Sequence, residues 1–139
     1  MIQYTNDYKP VTGPEIVAKI LFILLEAEHQ YDRDKEHFWT LGLRVNKVVD
    51  YIDLVSLGSL ARTIVEPREV YRYAVLKGVH SIIVAHNHPS GNLIFSENDK
   101  HVTRQLRLAG ETLGIPLLDH IVINSDGNFL SYHREYGEL

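Results

Sequence analysis

Ser81-Ile82-Ile83-Val84-Ala85, running into His86-Asn87-His88-Pro89-Ser90-Gly91-Asn92, is the most informative stretch of this chain. A short, unbroken apolar run predicts a central strand buried on both faces. The polar loop after it leads into a helix predicted from about Ser96 to Leu113. Its apolar positions Val102, Leu106, Ala109 and Leu113 are spaced 4, 3 and 4 apart, and Gly114-Ile115-Pro116 ends it. A second buried run, Leu117-Leu118-Asp119-His120-Ile121-Val122-Ile123, completes a strand–helix–strand unit.

Other elements are predicted on either side. Upstream, Pro67 in a first turn and Gly78 at a C-terminal cap bracket a helix. Before it, Phe38 to Val45 and Val48 to Val55 have a strand's aromatic and branched content, joined by an Asn46-Lys47 turn, and Ala61 to Val65 is a third strand candidate. Asp32 to Glu36 is a charged loop. Thr12-Gly13-Pro14-Glu15 opens the first helix with a capping hydroxyl, and Ile16, Ile20, Ile23 and Ala27 form its apolar face. Residues 1–9 suit a loose edge strand. Downstream, Ser125 to Asn128 turns the chain into a last strand, Phe129 to Tyr132. Interleaved strands and helices that begin with a hairpin predict a mixed β-sheet with flanking helices, an α/β or α+β domain. The domain is expected over 14–139, after an N-terminal segment at 1–13.

Composition limits the function classes. The chain has 139 residues and 45% hydrophobic content, one domain's worth and enough for a core without a staple. Lys and Arg number 14 against 18 Asp and Glu, so the net charge is −4. That balance opposes strong nucleic-acid binding and attraction to an anionic membrane. Cys is absent, which removes disulfides, Cys-ligated zinc, iron–sulfur clusters and thiol catalysis. The first residues lack a basic n-region and an apolar h-region, and no apolar stretch approaches the about 20 residues of a membrane span. A soluble, cytoplasmic protein is expected.

The chemistry gathers between His86 and Asp99. If the extended geometry continues past the strand, His86 and His88 point to the same side and two imidazoles face one point. Asp99 falls in the first turn of the following helix. Two His and one carboxylate with a fourth position open is a catalytic-zinc pattern. The same residues have a purely local reading, because Ser96-x-x-Asp99 is also a capping box. The two are compatible for Ser96.

His86-x-His88, seven residues, Ser96, two residues and Asp99 together resemble the signature of the JAMM (MPN+) metalloprotease domain. The fuller His86-Asn87-His88-Pro89-Ser90-Gly91, with Pro67-Arg68-Glu69 upstream and Leu117-Leu118-Asp119-His120-Ile121 downstream, looks like the version carried by the bacterial RadC family. The similarity runs from about Pro14 to the C-terminus. It implies a cytidine-deaminase-like architecture. His86, His88 and Asp99 would ligate one zinc ion, and Glu36 would be the general base, in preference to Glu26, Glu28 and Glu66. Ser96 would donate to the oxyanion. Asp119 and His120 match the family outside the four-residue motif. In a strand they face opposite sides, so one of them could orient a ligand, or the two could simply be buried and hydrogen-bonded. The other five histidines, at 29, 37, 80, 101 and 133, are read as surface or core residues.

Two features depart from the family pattern. Phe95 stands where a Pro usually precedes the serine, making Leu93-Ile94-Phe95 an apolar loop that either faces a substrate or partner or packs inward. No glycine-rich hairpin precedes Glu36, so the chain reads as a short form without the helix–hairpin–helix region of longer RadC proteins. The function expected from the resemblance is a zinc hydrolase of peptide or isopeptide bonds acting on an unidentified protein or peptide. The alternatives are a factor linked to DNA repair or nucleic-acid processing, and a metal-binding interaction module without turnover. Self-association is left open.

Overall fold

The computed structural model describes residues 2–3, 9–58 and 65–137. A six-stranded mixed sheet forms the middle layer, in the order β1-β3-β2-β4-β5-β6. The strands are β1 (Ile2–Gln3), β2 (Glu36–Leu43), β3 (Val49–Gly58), β4 (Ser81–Asn87), β5 (Leu117–Ile123) and β6 (Phe129–Ser131). The helices are α1 (Pro14–Glu26), α2 (Gln30–Arg33), α3 (Pro67–Val70), α4 (Arg72–Lys77), α5 (Glu97–Leu113) and α6 (Tyr132–Tyr136). The mixed sheet with flanking helices predicted from the sequence is the architecture observed.

β2 and β4 are antiparallel, whereas β4 and β5 are parallel and joined through α5. Alternation along the central strands supplies two cores. Trp39, Leu41, Leu43, Ile83, Ala85, Ile121 and Ile123 pack against Val17, Ala18, Leu21 and Leu25 of α1. Phe38, Tyr51, Ile82 and Val84 pack on the other face against Val70, Tyr71 and Ala74 of α3–α4 and Val102 and Leu106 of α5. Both faces are therefore covered, which is why Ser81 to Ala85 shows no polar alternation.

Several expected boundaries differ in the structure. α1 buries Val17, Ala18, Leu21 and Leu25, and Ile23 of the predicted face is 58% exposed. The helix is apolar nearly all round, so spacing cannot select the face that meets the sheet. Its N-cap is Gly13, not Thr12, and makes no side-chain cap bond. The expected loop at Asp32 to Glu36 contains the end of α2, and Glu36 is the first residue of β2, paired with Gly58. β4 runs past Ala85 and includes His86 and Asn87. The helix between Pro67 and Gly78 is interrupted at Tyr71. Tyr132 opens α6, with the Ser131 hydroxyl accepting from the Arg134 N–H. Of the third strand candidate, 61–64 lie outside the described residues, and Val65 is buried without strand structure.

The βαβ unit creates the site. β4 delivers His86 at its carboxyl end, the loop reverses, and the first turn of α5 returns beside it. Crevices outside the carboxyl ends of strands are where open α/β sheets place ligands.

Candidate metal centre

His86 and His88 flank Asn87 across the end of β4, and strand alternation sends both imidazoles to the α5 side. Asp99 is the third residue of α5, held by a capping box. The Ser96 hydroxyl accepts from the Asp99 N–H at 3.0 Å, and the Asp99 carboxylate accepts from the Ser96 N–H at 2.9 Å. This leaves Asp99 Oδ1 3.4 Å from His86 Nε2 and Oδ2 3.5 Å from His88 Nε2. One atom from each residue lies within 4.8 Å of the others, and the trio could hold a metal ion.

Hydrogen bonding fixes which nitrogens carry protons. His88 Nδ1 lies 2.8 Å from the Asn92 carbonyl, which can only accept, so Nδ1 donates and the neutral ring has its lone pair on Nε2. His86 Nδ1 faces His120 Nε2 at 2.8 Å. The two ligand Nε2 atoms approach to 2.9 Å beside a carboxylate. Acceptors gathered this closely require a cation or a proton between them, so the donor set fits a metal. The inventory of nitrogen and carboxylate oxygen, with no sulfur, suits zinc with an open position.

The electrostatics agree. Burial pushes the Asp99 carboxyl up, but His86, His88 and the Ser96 N–H outweigh it and hold the group well below the usual carboxylate range. The Asp99 hydrogen bond raises His88 above an ordinary imidazole, against the opposing effect of burial. Burial lowers His86 and, more strongly, His120, which favours the uncharged ring in both.

Two grooves meet at the site. A cavity of about 310 Å³ includes Glu36, His88, Ile94, Ser96 and Asp99 in its walls. A neighbouring one of about 420 Å³ also includes Glu36 and His88, with Asp34 and Lys35. The register pairs Phe38 with His86, and continuing it two residues brings Glu36 across from His88 on the same face. The alternative carboxylates lie elsewhere. Glu28 meets His37 Nε2 at 2.7 Å, and His37 stacks on Trp39 on the α1 side. Glu26 is paired with Arg33, and Glu66 caps α3. Ser96 sits on the groove wall with its hydroxyl proton not needed by the cap.

Asp119 and His120 separate across the sheet. Asp119 accepts from the Ser131 hydroxyl at 2.6 Å and the His133 N–H at 2.9 Å, tying β5 to β6 and α6. His120 faces the metal centre. The apolar loop divides too: Phe95 is buried against His120 and Tyr132, while Ile94 is 61% exposed at the groove. Asn87, Asn92 and Thr103 were not singled out from the sequence. Thr103 had a signal, being one helical turn beyond Asp99. Asn92 contributes a backbone carbonyl, which residue type does not reveal.

A strand-end His-x-His facing a carboxylate in the first turn of the crossover helix defines a JAMM-superfamily fold. The chain belongs to the RadC-like JAB domain family, whose model matches residues 11–137. It is 42% identical over 131 residues, 94% of its length, to a UPF0758 protein of Caldanaerobacter subterraneus, covering 54% of that protein. UPF0758 proteins of Finegoldia magna and Chlorobium chlorochromatii are 44% and 40% identical over 93 residues, 67% of this chain and 42% of each relative. The chain thus spans about half the length of the curated relatives it matches. Among the described residues no helix is long and apolar enough to cross a membrane.

Proposed function

We propose that this chain is a zinc-dependent hydrolase of peptide or isopeptide bonds. The observation that carries the reading is the convergence of His86 Nε2, His88 Nε2 and the Asp99 carboxylate where two grooves meet beside Glu36. Zinc held there would polarise a substrate carbonyl and lower the pKa of a water toward neutrality. Glu36 would take the proton of the attacking water and pass it to the leaving amine as the C–N bond breaks. The Ser96 hydroxyl would donate to the carbonyl oxygen as its charge grows. Asp34, Glu36 and Asp99 line the grooves with Lys35, which suits a neutral amide better than a phosphodiester backbone. A cytoplasmic setting is part of this proposal.

The test is hydrolysis of a panel of blocked peptides and lysine isopeptides by the zinc-loaded protein. Cleavage should disappear with a chelator, return with zinc, and be absent in His88→Ala. Cleavage by His88→Ala at the wild-type rate would overturn the reading.

A further inference from the structure

We propose that Thr103 and His120 are positioning residues for the metal centre, forming a chain of three hydrogen bonds that runs from His86 to the Asp99 carbonyl and locks His86 in its ligating tautomer. The inference rests on reading His86, His88 and Asp99 as the ligands.

The direction of these hydrogen bonds follows from one group that cannot donate. The Asp99 carbonyl only accepts, so the Thr103 hydroxyl spends its proton there, at 2.7 Å. The Thr103 oxygen, 2.7 Å from His120 Nδ1, is then left as an acceptor, and His120 Nδ1 carries the hydrogen. A neutral His120 in that tautomer has its lone pair on Nε2, which accepts from His86 Nδ1–H at 2.8 Å. The His86 lone pair is consequently on Nε2, turned toward His88 and the Asp99 carboxylate. Asp99 thus contributes its carboxylate to the site and its carbonyl to the orientation of another ligand.

The setting prevents other arrangements. Thr103, His86 and His120 are each 1% exposed or less, so no bulk water replaces a lost partner. The His120 ring stands edge to face between Phe38, at 5.8 Å, and Phe95, at 5.5 Å, which holds its plane. Three elements contribute: β4 carries His86, β5 carries His120, and α5 carries Thr103 and Asp99. Metal-bound imidazoles commonly donate their second nitrogen to a carboxylate or carbonyl. Here a neutral imidazole accepts instead, fixing the tautomer without placing another negative charge behind the metal.

The experiment uses the full chain and three proteins: wild type, Thr103→Val, which keeps the shape and loses the hydroxyl, and Thr103→Ser, which restores it. Zinc affinity is read by competition with a chromophoric chelator, and tautomers by nitrogen-15 spectra of the imidazoles in metal-free protein above neutral pH. In the wild type, His86 and His120 should both carry hydrogen on Nδ1. Thr103→Val should lose about 10–100-fold in zinc affinity and show hydrogen on His86 Nε2, and Thr103→Ser should recover both. A wild-type spectrum with hydrogen on His86 Nε2 overturns the proposal, whether or not the valine variant folds. Unchanged affinity in a folded Thr103→Val does the same. Failure of the underlying metal reading looks different: wild type would bind no zinc, or His88→Ala would bind it equally well.

Discussion

The Asn87 side-chain amide donates to the Lys35 carbonyl at 3.0 Å and accepts from the His37 N–H at 2.5 Å. The residue between the two imidazoles therefore grips the backbone on both sides of Glu36. Alternation makes this possible, because Asn87 points to the face opposite His86 and His88. The clamp keeps Glu36 in register with the His86 end of β4.

Glu36→Gln should retain zinc and lose turnover. General base catalysis contributes about 10²–10⁴-fold, and the rate should fall by at least that range. Metal stoichiometry and steady-state rates on a cleaved panel substrate decide it. A wild-type rate in this variant would move the base elsewhere, although Glu26 and Glu28 are paired with Arg33 and His37 and Glu66 is the N-cap residue of α3.

Ser96 has two separable roles. Ser96→Ala should cost about 1 kcal/mol of stability through the lost cap and about 10²–10³-fold in rate through the lost donor. Ser96→Gly separates them, since glycine at an N-cap costs only a few tenths of a kcal/mol while still lacking the hydroxyl. Glycine should match alanine in rate and approach wild type in melting. A glycine variant with full activity would remove Ser96 from the chemistry.

Zinc affinity should depend on pH through His88. Asp99 raises the His88 pKa above its ordinary 6.5, so in metal-free protein this attraction stabilises the fold below 6.5 and is lost as pH rises through the raised value. Zinc must displace that proton, and affinity should fall about tenfold per pH unit once His88 is protonated. The decline should begin above pH 6.5. Asp99 is held below its ordinary 3.8 and stays ionised through this window. Chelator competition from pH 5.5 to 8.5, together with the count of protons released on binding, checks it. Flat affinity across that range would contradict His88 as a ligand.

Metal removal should weaken the protein without unfolding it. Both cores form without any metal ligand inside their apolar clusters. At a zinc concentration of 100 times Kd, binding adds about 2.7 kcal/mol, so chelation should lower melting by roughly 10 °C. Calorimetry with and without chelator measures this. A chain that unfolds in chelator at room temperature would have a structural metal site.

Gly42→Ala should destabilise the sheet by about 1–3 kcal/mol or more. A Cβ there would run into the Tyr51 ring, which lies across β2 and is itself buried. The backbone angles at Gly42 are ordinary, so the cost is overpacking alone. Denaturant midpoints report it, and an unchanged midpoint would mean that Tyr51 can move aside.

Chemistry was readable wherever it lies within a few residues of chain. His86 and His88 share a face because strands alternate, and Ser96 and Asp99 meet because three residues make nearly one helical turn. Buried strands also declared themselves, since both faces of Ser81 to Ala85 and of Leu117 to Ile123 must be apolar. Local periodicity failed where hydropathy was uniform: α1 offers apolar side chains in every direction, and the sheet selects Val17, Ala18, Leu21 and Leu25. It was also silent about partners distant along the chain. Asp119 and His120 are adjacent residues with equal claims in sequence. Parallel pairing of β4 with β5 turns His120 toward His86 and Asp119 toward Ser131. The role of Thr103 appears only once α5 lies across both strands, because a hydrogen bond of 2.7 Å between a helix and a strand is a property of packing and not of spacing.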